Sequence, residues 1–234
     1  MALGFSSSIN GIRAALTSAS IRSNNVSNIN TKGYKSRRII KSAGPVGGPR
    51  ISAVPKDLTQ GSLTKTNTAR DLAIDGPGYF QVEGSHGGKL YTRSITLQAS
   101  ADGLLTDSRG YAISGVSQSV NQTHEIVVEH DGSVFSRNEK GESVKIGKLL
   151  TANFRNPQGL HHAGGGLFET TVDSGPPIPV KGESKVLQGF KEMSNVDLAE
   201  QLTGQMIDEK TLAANANAIR TQDQMLGEII DLKG

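Results

Sequence analysis

The chain has 234 residues, a formal net charge of +3, 35% hydrophobic and 4% aromatic residues, and neither cysteine nor tryptophan. That length supports one large domain or two modest ones with a real core, and the missing cysteines exclude disulfides, thiolate metal sites and cysteine nucleophiles. No apolar run reaches the ~18 residues of a transmembrane helix, and so small a net charge does not by itself imply a nucleic-acid partner.

The first predicted element is a helix. It follows Met1-Ala-Leu-Gly-Phe5, which has no basic segment ahead of an apolar one, so no Sec-type signal is expected. Ser6, Ser7 and Ser8 offer N-caps. Ile9, Ile12, Leu16, Ala19 and Val26 follow at helical spacing, with Ser23 in the remaining slot.

The middle of the chain reads as β. All eight prolines lie between Pro45 and Pro179, and most glycines share that stretch, so the two ends are free of the strongest helix breaker. Short apolar or alternating runs stand at Ala73-Ile74, Tyr79–Val82, Leu90–Thr92, Ile126–Val128 and Lys145–Phe154. Asp75-Gly76, Asp102-Gly103, Arg109-Gly110, Asp131-Gly132 and Lys140-Gly141 separate them as turns. Such a pattern predicts a compact antiparallel sandwich or barrel-like module.

The last element is a longer helix, Asn195 to Leu232. Leu198, Leu202, Leu212, Ala216, Ile219, Leu226 and Ile230 form a heptad-like row that Gln205, Glu209 and Asp223 complete. Each helix carries only a narrow apolar row, the pattern of a seam buried against a partner; two ordinary helices on a globular core are the alternative. The fold class expected is α+β: long N- and C-terminal helices forming a coiled-coil-like stalk, with a central all-β, sandwich- or barrel-like domain inserted between them.

Charge separates the two ends. Residues 1–41 hold seven basic side chains (Arg13, Arg22, Lys32, Lys35, Arg37, Arg38, Lys41) and no acid. Residues 195–234 hold seven acids (Asp197, Glu200, Asp208, Glu209, Asp223, Glu228, Asp231) against Lys210, Arg220 and Lys233. Opposite charge steers two segments together and penalises like-with-like pairing; two separately solvated faces would read the same way. The basic window Lys32–Lys41, with Tyr34 as its one aromatic, is a weak nucleic-acid signal. A linker packed on the acidic helices of a neighbouring subunit explains it equally well.

No catalytic constellation assembles. His86, His124, His130, His161 and His162 include no pair at metal-binding helical spacing. They read as loop histidines, with the adjacent His161 and His162 pointing to opposite sides if the strand is extended. Gly164-Gly165-Gly166 lacks the Lys-Ser/Thr of a phosphate loop and reads as a turn. No nucleophile elbow appears, and Asp71, Asp75 and Glu83 do not stand out as a catalytic pair. No cofactor and no metal site is expected.

Five blocks in order carry a family resemblance. Ser23-Asn-Asn-Val-Ser-Asn-Ile-Asn-Thr-Lys-Gly-Tyr-Lys35 closes the first helix. Asp71-Leu-Ala-Ile-Asp-Gly-Pro-Gly-Tyr-Phe-Gln-Val82 follows, then Tyr91-Thr-Arg93, Ala101–Thr106 and Gly110-Tyr111. Further on come Asn156-Pro-Gln-Gly-Leu160, Leu167–Gly175 and the C-terminal Gln188-Gly-Phe190, Met193–Glu200, Asn215-Ala-Asn217 and Thr221–Leu226. Together they resemble the bacterial flagellar rod and hook family from about Gly4 to Leu232, and the length resembles its distal rod branch most.

The resemblance implies a structural, non-enzymatic subunit of the flagellar basal body, placed in the rod that spans the periplasm. It would polymerise into a helical, torque-transmitting shaft around an export channel. Implied partners are copies of itself, other flagellar rod, hook and ring proteins, and the flagellar type III export apparatus, with no nucleic acid and no membrane insertion. A proximal rod or hook subunit of the family is the alternative. From another class, a non-polymerising protein-binding module also fits.

Residues 1–42 are then expected to be an assembly helix with a basic linker, 43–189 the β domain, and 190–234 a second assembly helix paired with 1–42. Ile9, Ile12, Leu16, Ala19, Val26, Leu198, Leu202, Leu212, Ala216, Ile219, Leu226 and Ile230 are the expected assembly seam. Asn25, Asn28, Asn30, Thr31, Gly33 and Tyr34 are the family-motif residues. The Asn and Thr side chains are expected to shape the turn leaving the first helix, and Gly33 to supply a backbone conformation bulkier residues avoid.

Overall fold

The computed structural model describes residues 2–44, 47–84, 87–100, 103–116, 125–138, 141–180, 182 and 184–232. Pro45, His86, Ala101, Asp102, His124, Lys140 and Lys233 lie outside the described residues. The chain forms two compact units: Met1–Ile29 with Ser36–Asp57 and Val196–Gly234, and Asn30–Lys35 with Leu58–Asn195. At the coarse level the fold is α+β, with two terminal helices flanking a β-rich middle of several sheets.

The first unit comprises α1 (Ala2–Ser27), the hairpin β1 (Ile40–Ala43) and β2 (Pro49–Ala53), and α2 (Leu198–Asp231). Ser6, Ser7 and Ser8 are not caps: α1 already begins at Ala2, a strong helix former, and the serines fall in its second turn. α2 starts three residues later than the periodicity suggests because Asp197 caps it. The Asp197 carboxylate accepts from Ala199 N–H at 2.8 Å and Glu200 N–H at 3.2 Å. Its 34 residues span about 51 Å. Among the described residues no helix is long and apolar enough to cross a membrane.

The second unit is antiparallel throughout its described pairings. Among the described residues the largest of its three sheets has 11 strands and is centred on Asp71–Asp75, Tyr79–Glu83, Lys89–Thr92 and Ser94–Ala99. Glu125–Val128, Ser133–Arg137 and Ser143–Lys148 form a separate three-stranded sheet, and Leu63–Lys65 pairs with Phe190–Glu192. The run read as one strand, Lys145–Phe154, is split at Leu149-Leu150 into two strands that join different sheets.

Strand alternation explains why the apolar runs here are nearly continuous. Phe80 and Val82 face one cluster with Leu72, Ile74, Ile95 and Leu97. Tyr79, on the opposite face of its strand, joins Tyr91, Phe154, Leu160 and Phe168. Tyr91 and Phe154 meet edge to face at 4.9 Å, and Tyr79 and Phe168 at 5.5 Å.

The glycines close hairpins. At Asp131-Gly132, Glu129 N–H donates to Ser133 C=O and Gly132 N–H to Glu129 C=O, both at 2.9 Å. Gly132 completes the loop with φ +85°, the left-handed residue a three-residue hairpin needs. Turns ending at Gly103, Gly110 and Gly141 repeat this bond pattern. His161 and His162 are not in a loop, because they open the strand His161–Gly164 that pairs with Leu167–Glu169 across the Gly164–Gly166 turn. His161 is exposed, and His162 packs between the rings of Tyr34 and Phe168.

A buried ion cluster ties the segment entering this unit to the one leaving it. Glu192, fully buried, accepts from Lys35 Nζ at 2.6 Å, Arg93 Nε at 2.8 Å and Gly61 N–H at 3.2 Å. Arg93 also donates to the carbonyls of Gly76, Gly78 and Ile74, and Lys35 to that of Thr59. Gly33 enters beside it with φ +64°, donating its N–H to Glu192 C=O at 2.9 Å. Asp71, at the head of the second motif block, accepts from Thr66, Thr96 and Lys191 at 2.7–2.8 Å.

Candidate assembly surface

α1 and α2 pack antiparallel, and the residues between them are small or polar. Every seventh residue makes a layer: Gly4 against Gln222, Gly11 against Asn215, Ser18 against Asp208, Asn25 against Gln201. A Cβ on Gly4 would lie 2.7 Å from Gln222 Nε2, and one on Gly11 would lie 2.6 Å from Asn215 Oδ1. Arg22 likewise lies over Gly204. Ala15, buried, falls in the same α1 row. This seam sits one residue before the apolar rows on both helices.

Asp208 is its electrostatic centre. The carboxylate, 2% exposed, accepts from Ser18 Oγ, from Arg22 Nε at 3.1 Å and from Lys41 Nζ at 3.1 Å. Burial pushes its pKa up, but the hydrogen bonds from Ser18, Lys41 and Arg22 and the Lys41 charge outweigh this and hold it below the ordinary value. A depressed carboxylate stabilises the fold above its unfolded pKa of about 3.9, and that contribution disappears as pH falls through the lower folded value. Helix melts followed by circular dichroism are therefore expected to lose stability as pH falls below about 4 in the parent and to vary less with pH in Asp208→Asn.

The expected seam residues occupy the next row on each helix. In an antiparallel pair, positions one residue past the contact row project to the same side on both helices, because two right-handed helices running in opposite directions rotate oppositely when viewed from one end. Ile12, Ala19 and Val26 on α1 and Leu212, Ala216, Ile219 and Leu226 on α2 are half-buried along that side. Ile9, Leu16, Leu198, Leu202 and Ile230 stand further out, from 41% exposed at Ile9 to 69% at Ile230. One apolar face thus spans both helices, and none of the twelve lies in the α1–α2 contact row.

The opposite side of α1 is covered by the hairpin. Asn10 Nδ2 donates to Gly47 C=O at 3.3 Å, and Gly48 sits so close to Ser7 that a Cβ would meet its carbonyl at 2.6 Å. Beside it on α2, Thr203, Met206, Ile207, Lys210 and Ala214 line a shallow apolar groove.

The motif residues divide between the two units. Asn25, fully buried, reaches beyond its own turn: its Nδ2 donates to Arg37 C=O at 2.9 Å and its Oδ1 accepts Arg37 N–H at 3.0 Å. Asn28 bonds locally, to Asn24 C=O at 2.8 Å, and Thr31 C=O accepts Tyr34 N–H at 3.2 Å. Asn30 is exposed, and Tyr34 is 2% exposed. The basic window is no single surface, because Tyr34 and Lys35 are buried in the second unit while Arg37, Arg38 and Lys41 belong to the first.

The polar ladder, Asp208 and the Glu192 cluster are not among the residues expected from the sequence. A signal for the ladder exists in the seven-residue repeat Gln201, Asp208, Asn215, Gln222. None marks Glu192, since its partners lie 99 and 157 residues away in sequence.

Residues 73–142 match the family described as flagellar hook protein FlgE/F/G D1 domain, and residues 187–232 the family described as flagellar basal body rod FlgEFG protein C-terminal. The flagellar basal-body rod protein FlgG of Buchnera aphidicola subsp. Baizongia pistaciae is 30% identical over 94% of this chain and 95% of its own length. FlgG of Buchnera aphidicola subsp. Schizaphis graminum is 32% identical over 95% and 96%. The flagellar hook protein FlgE of Borreliella burgdorferi is 32% identical, but over 61% of this chain and only 32% of that protein.

Proposed function

This chain belongs to the flagellar basal-body rod protein family, and on that premise we propose that it polymerises through its two terminal helices into the helical shaft of the rod. It is a structural subunit of the bacterial flagellar basal body, most like FlgG. Near-full-length similarity to rod proteins, against partial similarity to a hook protein, favours the distal rod over the hook. The stalk expected over 1–42 and 190–234 corresponds to the helix-and-hairpin unit, which also takes in residues 43–57, and it acts as a coiled-coil-like assembly element. The inserted β domain expected over 43–189 corresponds to the second unit, which runs on through the strand Phe190–Glu192. The shaft crosses the periplasm, transmits torque and encloses the export channel, and the subunit itself has no catalytic role. Partners are further copies, other rod, hook and ring proteins, and the type III export apparatus that delivers the chain.

One observation supports this reading above the rest. Twelve of the 17 exposed large apolar side chains among the described residues lie in the helix-and-hairpin unit. The polar seam leaves the apolar rows unused within one copy. Burying them against neighbours gains about 25 cal/mol per Å² of apolar area, and a heterologous contact that does not close generates a helix.

Sedimentation of the purified full chain over a concentration series tests it. Large, concentration-dependent species are expected. A chain that stays monomeric throughout would favour the non-polymerising binding module instead.

A further inference from the structure

We propose that neighbouring copies meet front to back: the apolar helix face of one, edged by Glu209 and Asp223, seats on the basic hairpin side of the next, at Arg37 and Arg50. This deepens the rod-subunit reading and rests on it. The occupant of the hairpin side is therefore a second copy of this chain.

The two sides of the unit differ in charge in a way that fits this. On the front, the acids Glu209 and Asp223 fall in the outer α2 row with Leu202 and Ile230, and both are exposed. On the back, Arg37 and Arg50 are exposed on and beside the hairpin. None of these four side chains makes an ion pair among the described residues. Basic charge is crowded there: Arg37 bridges backbone-to-backbone with Lys56, whose pKa is lowered first by burial and then by the Arg37 charge. Like charges opposite one another on neighbouring strands repel, and an arriving carboxylate lowers that repulsion.

The apolar parts also match, because the back offers Met206 and Ile207, 58% and 60% exposed, beside the hairpin. Front-to-front pairing would set Glu209 and Asp223 of two copies together and is disfavoured. Front-to-back contact is heterologous and can propagate indefinitely.

Two reversed variants of the full chain test the pairing: Glu209→Lys/Asp223→Lys, and Arg37→Glu/Arg50→Glu. Each alone is expected to raise the concentration needed for assembly by about tenfold, with helix content unchanged by circular dichroism. Their equimolar mixture is expected to assemble near the parent's concentration, since each reversed face then meets its complement. Parent-like assembly of either single variant, or a mixture no better than its components, overturns front-to-back pairing and leaves the rod-subunit reading standing. A parent chain that never assembles overturns that reading itself and this inference with it. If the arginine variant assembles normally but loses binding to phosphatidylglycerol vesicles, the basic side serves a lipid surface and the pairing is wrong.

Discussion

Leu212→Asp is expected to abolish polymerisation while leaving the β unit folded. Leu212 lies in the middle of the apolar face, half-buried at the edge of the α1–α2 contact and outside it. Full burial of a leucine side chain is worth about 1.5–3 kcal/mol, and an aspartate in its place brings an unpaired charge into the interface. A loss of about 3 kcal/mol raises the assembly concentration roughly a hundredfold. The free subunit feels less, because Asp208, Asn25 and Gln201 hold the helix pair without Leu212. Leu16→Asp, at a side chain 56% exposed in the single copy, separates the two effects further. Sedimentation should show monomers at concentrations where the parent forms long species, with the thermal midpoint of the β unit unmoved. Normal filaments from either variant would sink the assembly-face argument.

The depth to which this structure could be read from its residues follows the range of the interactions involved. Turns were legible because Asp131-Gly132 needs only local backbone geometry, and strands such as Tyr79–Glu83 because alternation and β-formers coincide there. Both helices were legible for the same reason, although α1 starts before its serines and α2 waits for the Asp197 cap. The apolar row of each helix was visible, but which row faces the other helix was not. Apolar periodicity draws attention to Leu212 and Ile219, whereas the contact row is built from Gly11, Ser18, Asn25 and Asp208, residues that read singly as surface or turn formers. Small side chains let the helices approach closely, and polar ones then satisfy each other across the gap. Longer-range chemistry left no local trace: Asp71 looked ordinary until Lys191, 120 positions later, supplied its counter-charge at 2.8 Å.

Removing the carboxylate of Glu192 is expected to be the most damaging single change to the stability of the β unit. Lys35 and Arg93 have side chains only 1% and 6% exposed, and Glu192 answers both. In Glu192→Ala the buried Lys35 and Arg93 cations lose their shared counter-charge, and the Gly61 N–H loses its acceptor. Breaking a buried pair by deleting one member costs about 3–5 kcal/mol. For a unit of this size each kcal/mol lowers the midpoint by about 2–4 °C, so a fall of roughly 10 °C is expected. Glu192→Gln keeps an acceptor oxygen but not the charge, and should fall between. Glu200→Ala, at an exposed carboxylate on α2, should leave the midpoint where it is. The order of the three discriminates charge compensation from simple packing: a buried glutamate valued only for its volume would make Gln as good as the parent. Because the cluster clamps Lys35 on the way in and Glu192 on the way out, its loss should also speed hydrogen exchange in the Leu63–Lys65 and Phe190–Glu192 strand pair before the central sheet opens. Uniform exchange across both would argue that the clamp has no local role.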